Sequence, residues 1–368
     1  MDAVTVETPI PLVDLDRLDR NLERMANYAS QHRVSLRPHS KTHKSQRIAA
    51  EQIRRGAVGL TCATILEMEV MAEASTDLLL AYPAVGEAKL QRLLSLPDEI
   101  AITVMLDSHE AAEQLATAAR KRGREVGVLI ELDAGMHRVG LSGLDAAVDL
   151  ARTVSRLSPL VYRGIGFYPG HLRTSARERP GLEQMANFLR GAVTTLERSG
   201  VRPEVVSGGS TPLAWQTHEF PEITEMRPGT YVYNDRTTHQ VGACEWNDCA
   251  LTVLATVVST AVPGQAVIDA GSKSLGREPP EGQGSGFGAL LDRPEVVVTR
   301  LSEEHGILDL RDTDWRPSVG DQVRVVPNHA CIAVCLHEMI YGIRGNRWET
   351  SWPVTARGRR PLRQSVGV

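Results

Sequence analysis

The chain has 368 residues, enough for two or three domains at about 150 residues each, and long enough to bury a substantial core. Its 41 Lys and Arg against 45 Asp and Glu leave a formal charge of −4, with no basic block before the last dozen residues, so nucleic acid is excluded as a partner on electrostatic grounds. Five cysteines, Cys62, Cys244, Cys249, Cys331 and Cys335, form an odd set that argues for reduced thiols rather than a disulfide framework.

Asp2, Glu7, Asp14, Asp16, Arg17 and Asp19 interrupt any apolar leader in the first thirty residues, so a cytoplasmic protein is expected. Residues 10–14 read as a strand, followed by a helix with apolar Leu15, Leu18, Leu22 and Met25. From residue 34 the chain alternates β-rich runs with amphipathic stretches. The runs are 34–38, 57–62, 77–82, 100–106, 126–133, 160–168, 204–208 and 223–227. Between them lie helical patterns such as Ala111, Leu115, Ala118 and Ala119 after Asp107-Ser108. Eight βα units predict an α/β fold, a (β/α)8 barrel.

After Gly229 the rhythm becomes Val- and Thr-rich strands without helices, at 250–260, 266–269, 295–301, 322–327 and 332–337. The uncharged stretch 250–268 is broken by Pro263, Gly264 and Gln265 and reads as a buried hairpin rather than a membrane span. We therefore assign residues 26–240 to the barrel and 1–25 with 241–368 to a discontinuous, mainly antiparallel β domain. Residues 271–288, with six glycines and Pro279-Pro280, predict a long mobile loop, either a lid or a surface excursion. The tail from Thr355, with Arg357, Arg359, Arg360 and Arg363, reads as a basic end without function.

Reactive groups of a βα barrel collect at the C-terminal ends of its strands. There the sequence places Arg37-Pro38-His39-Ser40-Lys41-Thr42-His43-Lys44, then Asp133-Ala134-Gly135-Met136-His137-Arg138, Tyr168-Pro169-Gly170-His171, Ser207-Gly208-Gly209-Ser210-Thr211 and Arg227-Pro228-Gly229-Thr230-Tyr231. The small residues after runs seven and eight let backbone N–H groups approach a phosphate. A lysine after strand one, opposite such a site, suits an aldehyde cofactor anchored at its phosphate and bonded to the amine.

The strings at 37–44, 168–171 and 227–231 and Met136-His137-Arg138-Val139-Gly140, with Gly56-Ala57-Val58-Gly59, Ser302-Glu303-Glu304-His305-Gly306 and Pro327-Asn328-His329-Ala330-Cys331, resemble the D-threonine aldolase and D-serine dehydratase family over roughly residues 8–340. The resemblance implies pyridoxal 5'-phosphate, the alanine racemase fold, a D-amino acid substrate and a homodimer paired head to tail. It makes Lys41, rather than Lys44, the lysine bound to the cofactor, and Arg138 the arginine facing the pyridine nitrogen. Tyr168, Gly209, Thr211, Gly229 and Thr230 match phosphate and ring contacts. An arginine cannot protonate that nitrogen, so the ring is a weak electron sink and the leaving group needs other help.

That help is expected from a divalent metal, with zinc the leading candidate and manganese, magnesium or cobalt the others. On an extended segment His329 and Cys331 share a face about 7 Å apart, whereas His329 and His337, about 26 Å apart, do not meet on one ion. The resemblance supports the pair, since dehydratases of the family carry His-x-Cys there and aldolases His-x-Asp. Cys335 and His337 would share the same face, His305 would line the cavity or remain structural, and a Cys244/Cys249 zinc knuckle with Cys331 and Cys335 is a weaker alternative. The leading reading is β-elimination on a 3-hydroxy D-amino acid, with Lys41 as base. Retro-aldol cleavage with His171 as base is the second reading, a non-catalytic cofactor carrier a third and racemisation a fourth. Tyr233, Asn234 and Asp235 are further candidates for the pocket wall.

Overall fold

The computed structural model describes residues 6–173, 179–279 and 285–358. Packing divides the chain into two units. One joins the residues up to Arg24 with Thr230–Thr355, and the other joins Met25–Gly229 with the chain returning from Ala356. The sequence reading drew these boundaries at 25/26 and 240/241.

The first strand, β1 (Ile10–Asp14), pairs antiparallel with β10 (Leu251–Ser259) and parallel with β16 (Met339–Arg344). The barrel unit then contributes β2 (Ser35–Leu36), β3 (Leu60–Cys62), β4 (Asp77–Leu80), β5 (Ala101–Leu106), β6 (Val126–Leu132), β7 (Leu160–Phe167), β8 (Val205–Gly208) and β9 (Glu225–Met226). Each strand lies within one of the eight predicted runs. They pair in parallel in the order β2-β9-β8-β7-β6-β5-β4-β3. The ring is closed by the Val58 N–H donating to the Leu36 carbonyl at 2.9 Å, the Thr61 N–H donating to the Pro38 carbonyl at 2.9 Å, and a His39–Thr61 bridge.

The alternation of β-strand side chains divides the barrel into two environments. Val128 and Ile130 on β6, with Ile102, Val104 and Leu106 on β5, face the helix layer and form its apolar core. Leu79, Met105 and Leu129 make a small apolar layer inside the barrel. Helix formation follows local signals. In helix His109–Arg122 the Ser108 side chain caps the Ala111 N–H, Ala111, Ala112, Leu115, Ala116 and Ala119 are buried, and Gly123 at φ 68° ends the helix. Such a cap contributes about 1 kcal/mol.

In the second unit β10 forms a hairpin with β11 (Gln265–Ile268), as the uncharged stretch predicted. Strands β12 (Gly288–Leu290), β13 (Arg293–Leu301), β14 (Gly306–Asp309), β15 (Gln322–Pro327), β16 and β17 (Arg347–Pro353) complete a sheet ordered β11-β14-β13-β12-β15-β10-β1-β16-β17, with β11 also pairing β10. Two expectations are corrected. Residues 332–337 are not a strand: 332–336 belong to helix Ala330–Leu336 and His337 caps its end, because the string is apolar at nearly every position and carries no alternation, while Ala330, Cys331, Ala333 and Val334 are buried at helical spacing. The expected loop 271–288 contains a helical turn, Ser272–Leu275, whose Ser274 and Leu275 are buried, and ends in β12. Residues 280–284 of that loop, and Arg359, Arg360 and Arg363 of the tail, lie outside the described residues.

Among the described residues, no helix is long and apolar enough to cross a membrane.

Candidate active site

The lysine-bearing segment extends β2 and is locked on both sides. The His39 N–H donates to the Pro228 carbonyl at 2.9 Å, the Ser40 N–H to the Thr61 carbonyl at 2.8 Å, and the Lys44 N–H to the Ser40 carbonyl at 2.8 Å. Lys44 then adopts φ 49°, and its ammonium is buried in an ion pair with the fully buried Glu67. That pairing removes Lys44 as the reactive amine. Lys41 is half-buried, and its Nζ lies 5.4 Å from the centre of the Tyr168 ring. Among the described residues it has no carboxylate partner. His39 beside it is held well below the usual imidazole range by burial, then by the positive charges of Lys41, Arg227 and Lys44, so its ring is neutral.

Arg138 is exposed and lies over the same Tyr168 ring, with its guanidinium carbon 5.1 Å from the centroid. Lys41, Tyr168 and Arg138, which come from three different strand ends, are thus brought together. His171 is exposed, and a Cβ at Gly135 would come within 3.1 Å of its Nε2, which places the ring against the loop that carries Arg138.

The residues expected to hold a phosphate are small, and one of them carries an unsatisfied hydroxyl. Gly209 sits at φ 92°, which favours glycine, and Ser210 Oγ is buried without a hydrogen-bond partner among the described residues. A Cβ at Gly229 would lie 3.0 Å from Thr42 Oγ1 and 3.2 Å from the His39 backbone oxygen. Thr211 is buried beside them in sequence. An orphaned hydroxyl beside a left-handed glycine, with a second glycine where a Cβ would be crowded, fits an anionic oxygen acceptor. Thr230 is grouped by packing with the β unit, where its hydroxyl lies 3.8 Å from Cys331 Sγ.

The barrel interior carries charged groups to which the sequence reading gave no role: Arg37 and Arg227, named only within strand-end strings, and Glu131, not named at all. Arg37 bridges Glu225 at 2.7 Å and Asp77 at 2.8 Å. Arg227 is buried, donating to Ser207 Oγ at 2.7 Å and to the Phe167 carbonyl at 2.8 Å. Burial pushes the Glu131 carboxyl up to about 7 against the opposing pull of Arg227, and its Oε2 has no partner among the described residues. The signal for these positions was present as alternation: Glu131 follows Leu129 at i+2 on β6, and Arg227 follows Glu225 just beyond β9.

In the β unit, His329 and Cys331 come together although the segment is not extended. His329 is the N-cap of helix Ala330–Leu336, with φ −136° and ψ 108°, and its ring is hydrogen-bonded to the Cys331 sulfur. Burial opposes charge on this imidazole, but Cys331 and Asp235 outweigh it and raise it to about 11. Asp235 is fully buried and accepts from His329 Nδ1 at 3.2 Å and from the Ala330 N–H at 2.9 Å. With Nδ1 engaged by Asp235, Nε2 is the ring nitrogen left to Cys331, and an imidazole nitrogen beside a thiolate suits a soft or borderline divalent cation. Among the described residues no group of three or more His, Cys, Asp or Glu side chains is placed to hold a metal ion, so the pair fits an open, two-donor site. His305 is exposed in the turn between β13 and β14, and His337 Nε2 is 3.0 Å from the Ser274 carbonyl, so neither joins this pair.

Comparison with known proteins finds two family matches along the chain. The family described as "Alanine racemase, N-terminal domain" matches residues 13–237, and that described as "Putative serine dehydratase domain" matches residues 250–343. A 3-hydroxy-D-aspartate aldolase of Paracoccus denitrificans (strain Pd 1222) is 32% identical over 374 residues, covering 98% of this chain and 94% of that one. The crystal structure of D-threonine aldolase from Filomicrobium marinum superposes with a TM-score of 0.88 at 32% identity, covering 96% of each chain. The D-threo-3-hydroxyaspartate dehydratase from Delftia sp. HT23 gives a TM-score of 0.85 at 31% identity, covering 95% of this chain and 97% of that one. That dehydratase has also been solved with a histidine replaced by alanine and with a cysteine two positions later replaced by alanine, the latter in a metal-free form.

Proposed function

The chain belongs to the alanine racemase-like family of D-threonine aldolases and D-serine dehydratases and is a lyase; on that premise we propose that it removes water from a 3-hydroxy D-amino acid, giving a 2-oxo acid and ammonia. The carrier reading is set aside, because the relatives that match across both units are aldolases and dehydratases.

The observation that carries the choice of dehydration is the His329–Cys331 pair oriented by Asp235. A histidine and a cysteine at the same spacing are the positions altered in the dehydratase structures. Hydroxide is a poor leaving group, and a divalent cation held by His329 and Cys331 would supply Lewis-acid assistance to its departure. Zinc suits an imidazole and a thiolate best, with manganese, magnesium and cobalt as alternatives.

Pyridoxal phosphate, when bound, delocalises the electron pair left at the substrate Cα. The residues proposed to hold it are Lys41 through its amine, the cradle of Gly209, Ser210, Thr211 and Gly229 at the phosphate, and Tyr168 and Arg138 at the ring. Thr230 is proposed as a further phosphate contact. Once released by substrate, the Lys41 amine takes the Cα proton, and the neutral His39 beside it spares that amine a second positive neighbour. Arg138 and Tyr168 fix the plane of the ring, and the bond that breaks is the one standing perpendicular to that plane.

Retro-aldol cleavage remains the second reading, favoured by the aldolase relatives, with His171 as the base for the β-hydroxyl. Product analysis on D-threonine decides between them. Formation of 2-oxobutanoate and ammonia supports dehydration, and glycine with acetaldehyde overturns it. We extend the reading to a homodimer, which the molecular mass in solution tests.

A further inference from the structure

We propose that Cys244 and Cys249 form a reversible disulfide that acts as an oxidation-sensitive latch on the loop holding His329. Both residues lie in the β unit, five positions apart, on either side of a short 3-10 turn, Trp246–Asp248. Their side chains share a hydrogen bond and pack with Leu291 and Val326. Cys249 is buried, whereas Cys244 is half-buried and open to a small reagent.

The pair stands at the end of a continuous run of donors. The Cys244 thiol donates to Thr238 Oγ1 at 3.6 Å, and the Thr238 hydroxyl donates to Asp235 Oδ1 at 2.9 Å. The Thr238 N–H also donates to Asp235 Oδ1 at 2.8 Å, completing the cap of helix Arg236–Gln240. The other carboxylate oxygen of Asp235 accepts from His329 Nδ1 and the Ala330 N–H. The hydrogen bond to Cys244, together with burial, pushes the Cys249 thiol far up, and the half-buried Cys244 is the sulfur that an external disulfide reaches first.

A low-molecular-weight disulfide is the oxidant. The Cys244 thiolate attacks one of its sulfurs, the S–S bond breaks, and one small thiolate leaves. Cys249 gives up its proton and attacks Cys244 Sγ, forming the internal disulfide and expelling the second small thiolate. Two protein thiols are oxidised and one external disulfide is reduced to two thiols. The product has no S–H to donate to Thr238, and the Cys244 sulfur is drawn from hydrogen-bond to covalent distance from Cys249. The cap on Asp235 loosens, and with it the hold on Ala330 and His329.

The test treats the full chain with excess oxidised glutathione, then alkylates, digests with trypsin and weighs the 237–273 peptide, alongside amide exchange at Ala330. The expected result is a peptide two hydrogens lighter and closed to alkylation, reversed by dithiothreitol, with Cys62, Cys331 and Cys335 still alkylated and Ala330 exchange about fivefold faster. Cys249→Ser should stop at glutathione bound to Cys244, and Cys244→Ser should show neither change. The proposal is overturned if Cys244 and Cys249 both remain open to alkylation, if the disulfide involves Cys331 or Cys335 instead, or if the disulfide forms and Ala330 exchange is unchanged. These readouts need neither cofactor nor metal, so they stand apart from the function proposed above.

Discussion

Glu131→Gln is the substitution whose effect is most directly fixed by the barrel interior. The carboxyl is 4% exposed and is raised from 4.5 to about 7, with burial as the leading cause and Arg227 opposing it. A folded-state pKa above the unfolded value means that the folded protein binds the extra proton. The associated stability is therefore complete below about pH 4.5 and is lost as pH rises through 7. The full loss is about 3 kcal/mol, from 1.36 kcal/mol per unit. Glutamine mimics the neutral carboxyl at every pH. Relative to the natural chain, E131Q should gain about 1 kcal/mol at pH 5 and about 3 kcal/mol at pH 8. Urea unfolding of both proteins at the two pH values, followed through the barrel transition, measures the difference. A gain independent of pH would mean that folding does not shift the carboxyl, and a loss that grows with pH would mean that Glu131 is ionised in the folded state and held there by Arg227; either result refutes the reasoning.

Lys41→Ala should abolish turnover and the visible absorbance of added pyridoxal phosphate, whereas Lys44→Met should retain the absorbance if the chain folds; spectroscopy with activity assays checks both. Glu67→Gln leaves the buried Lys44 ammonium without its carboxylate and should cost about 3–5 kcal/mol, read by thermal unfolding. Asp235→Asn should weaken zinc binding by about 10- to 100-fold, measured by competition with a chromogenic chelator, because the ring of His329 loses its orienting carboxylate. Chelation should remove dehydration of D-threonine, and added zinc or manganese should restore it; full activity in metal-free protein would sink the proposed role of His329 and Cys331.

The barrel was legible because its signal is repeated. Eight runs separated by helical stretches leave little room for another topology, and each strand end carries its own loop motif. The β unit was less legible. Strands β12 and β14 have three and four residues, and β16 and β17 follow a helix that the sequence presents as one more apolar run. In His329-Ala330-Cys331-Ile332-Ala333-Val334-Cys335-Leu336 no polar residue marks a face, so period 2 and period 3.6 fit equally. What distinguishes them is outside the segment: the buried carboxylate of Asp235 caps the Ala330 N–H, a contact spanning 95 positions.

The same long-range logic explains why His329 and Cys331 come together by a route other than the one that spacing suggests. His329 and Cys331 were expected to meet because alternate residues of a strand share a face. They meet instead because His329 stays in the extended region as an N-cap while Cys331 enters the first turn, and Asp235 fixes the ring that spans the two conformations. Helix geometry alone would turn residues two apart to different sides. The pair thus depends on a side chain from another part of the chain, and that side chain is itself held by the Thr238 cap. Arg227 and Glu131 are of the same kind. Each is an ordinary charged residue in sequence, and each takes its character from closure of the barrel, which removes water from the space that they share. Motifs identify groups that reach outward to a ligand, whereas the groups that set their orientation and charge are recruited by the fold.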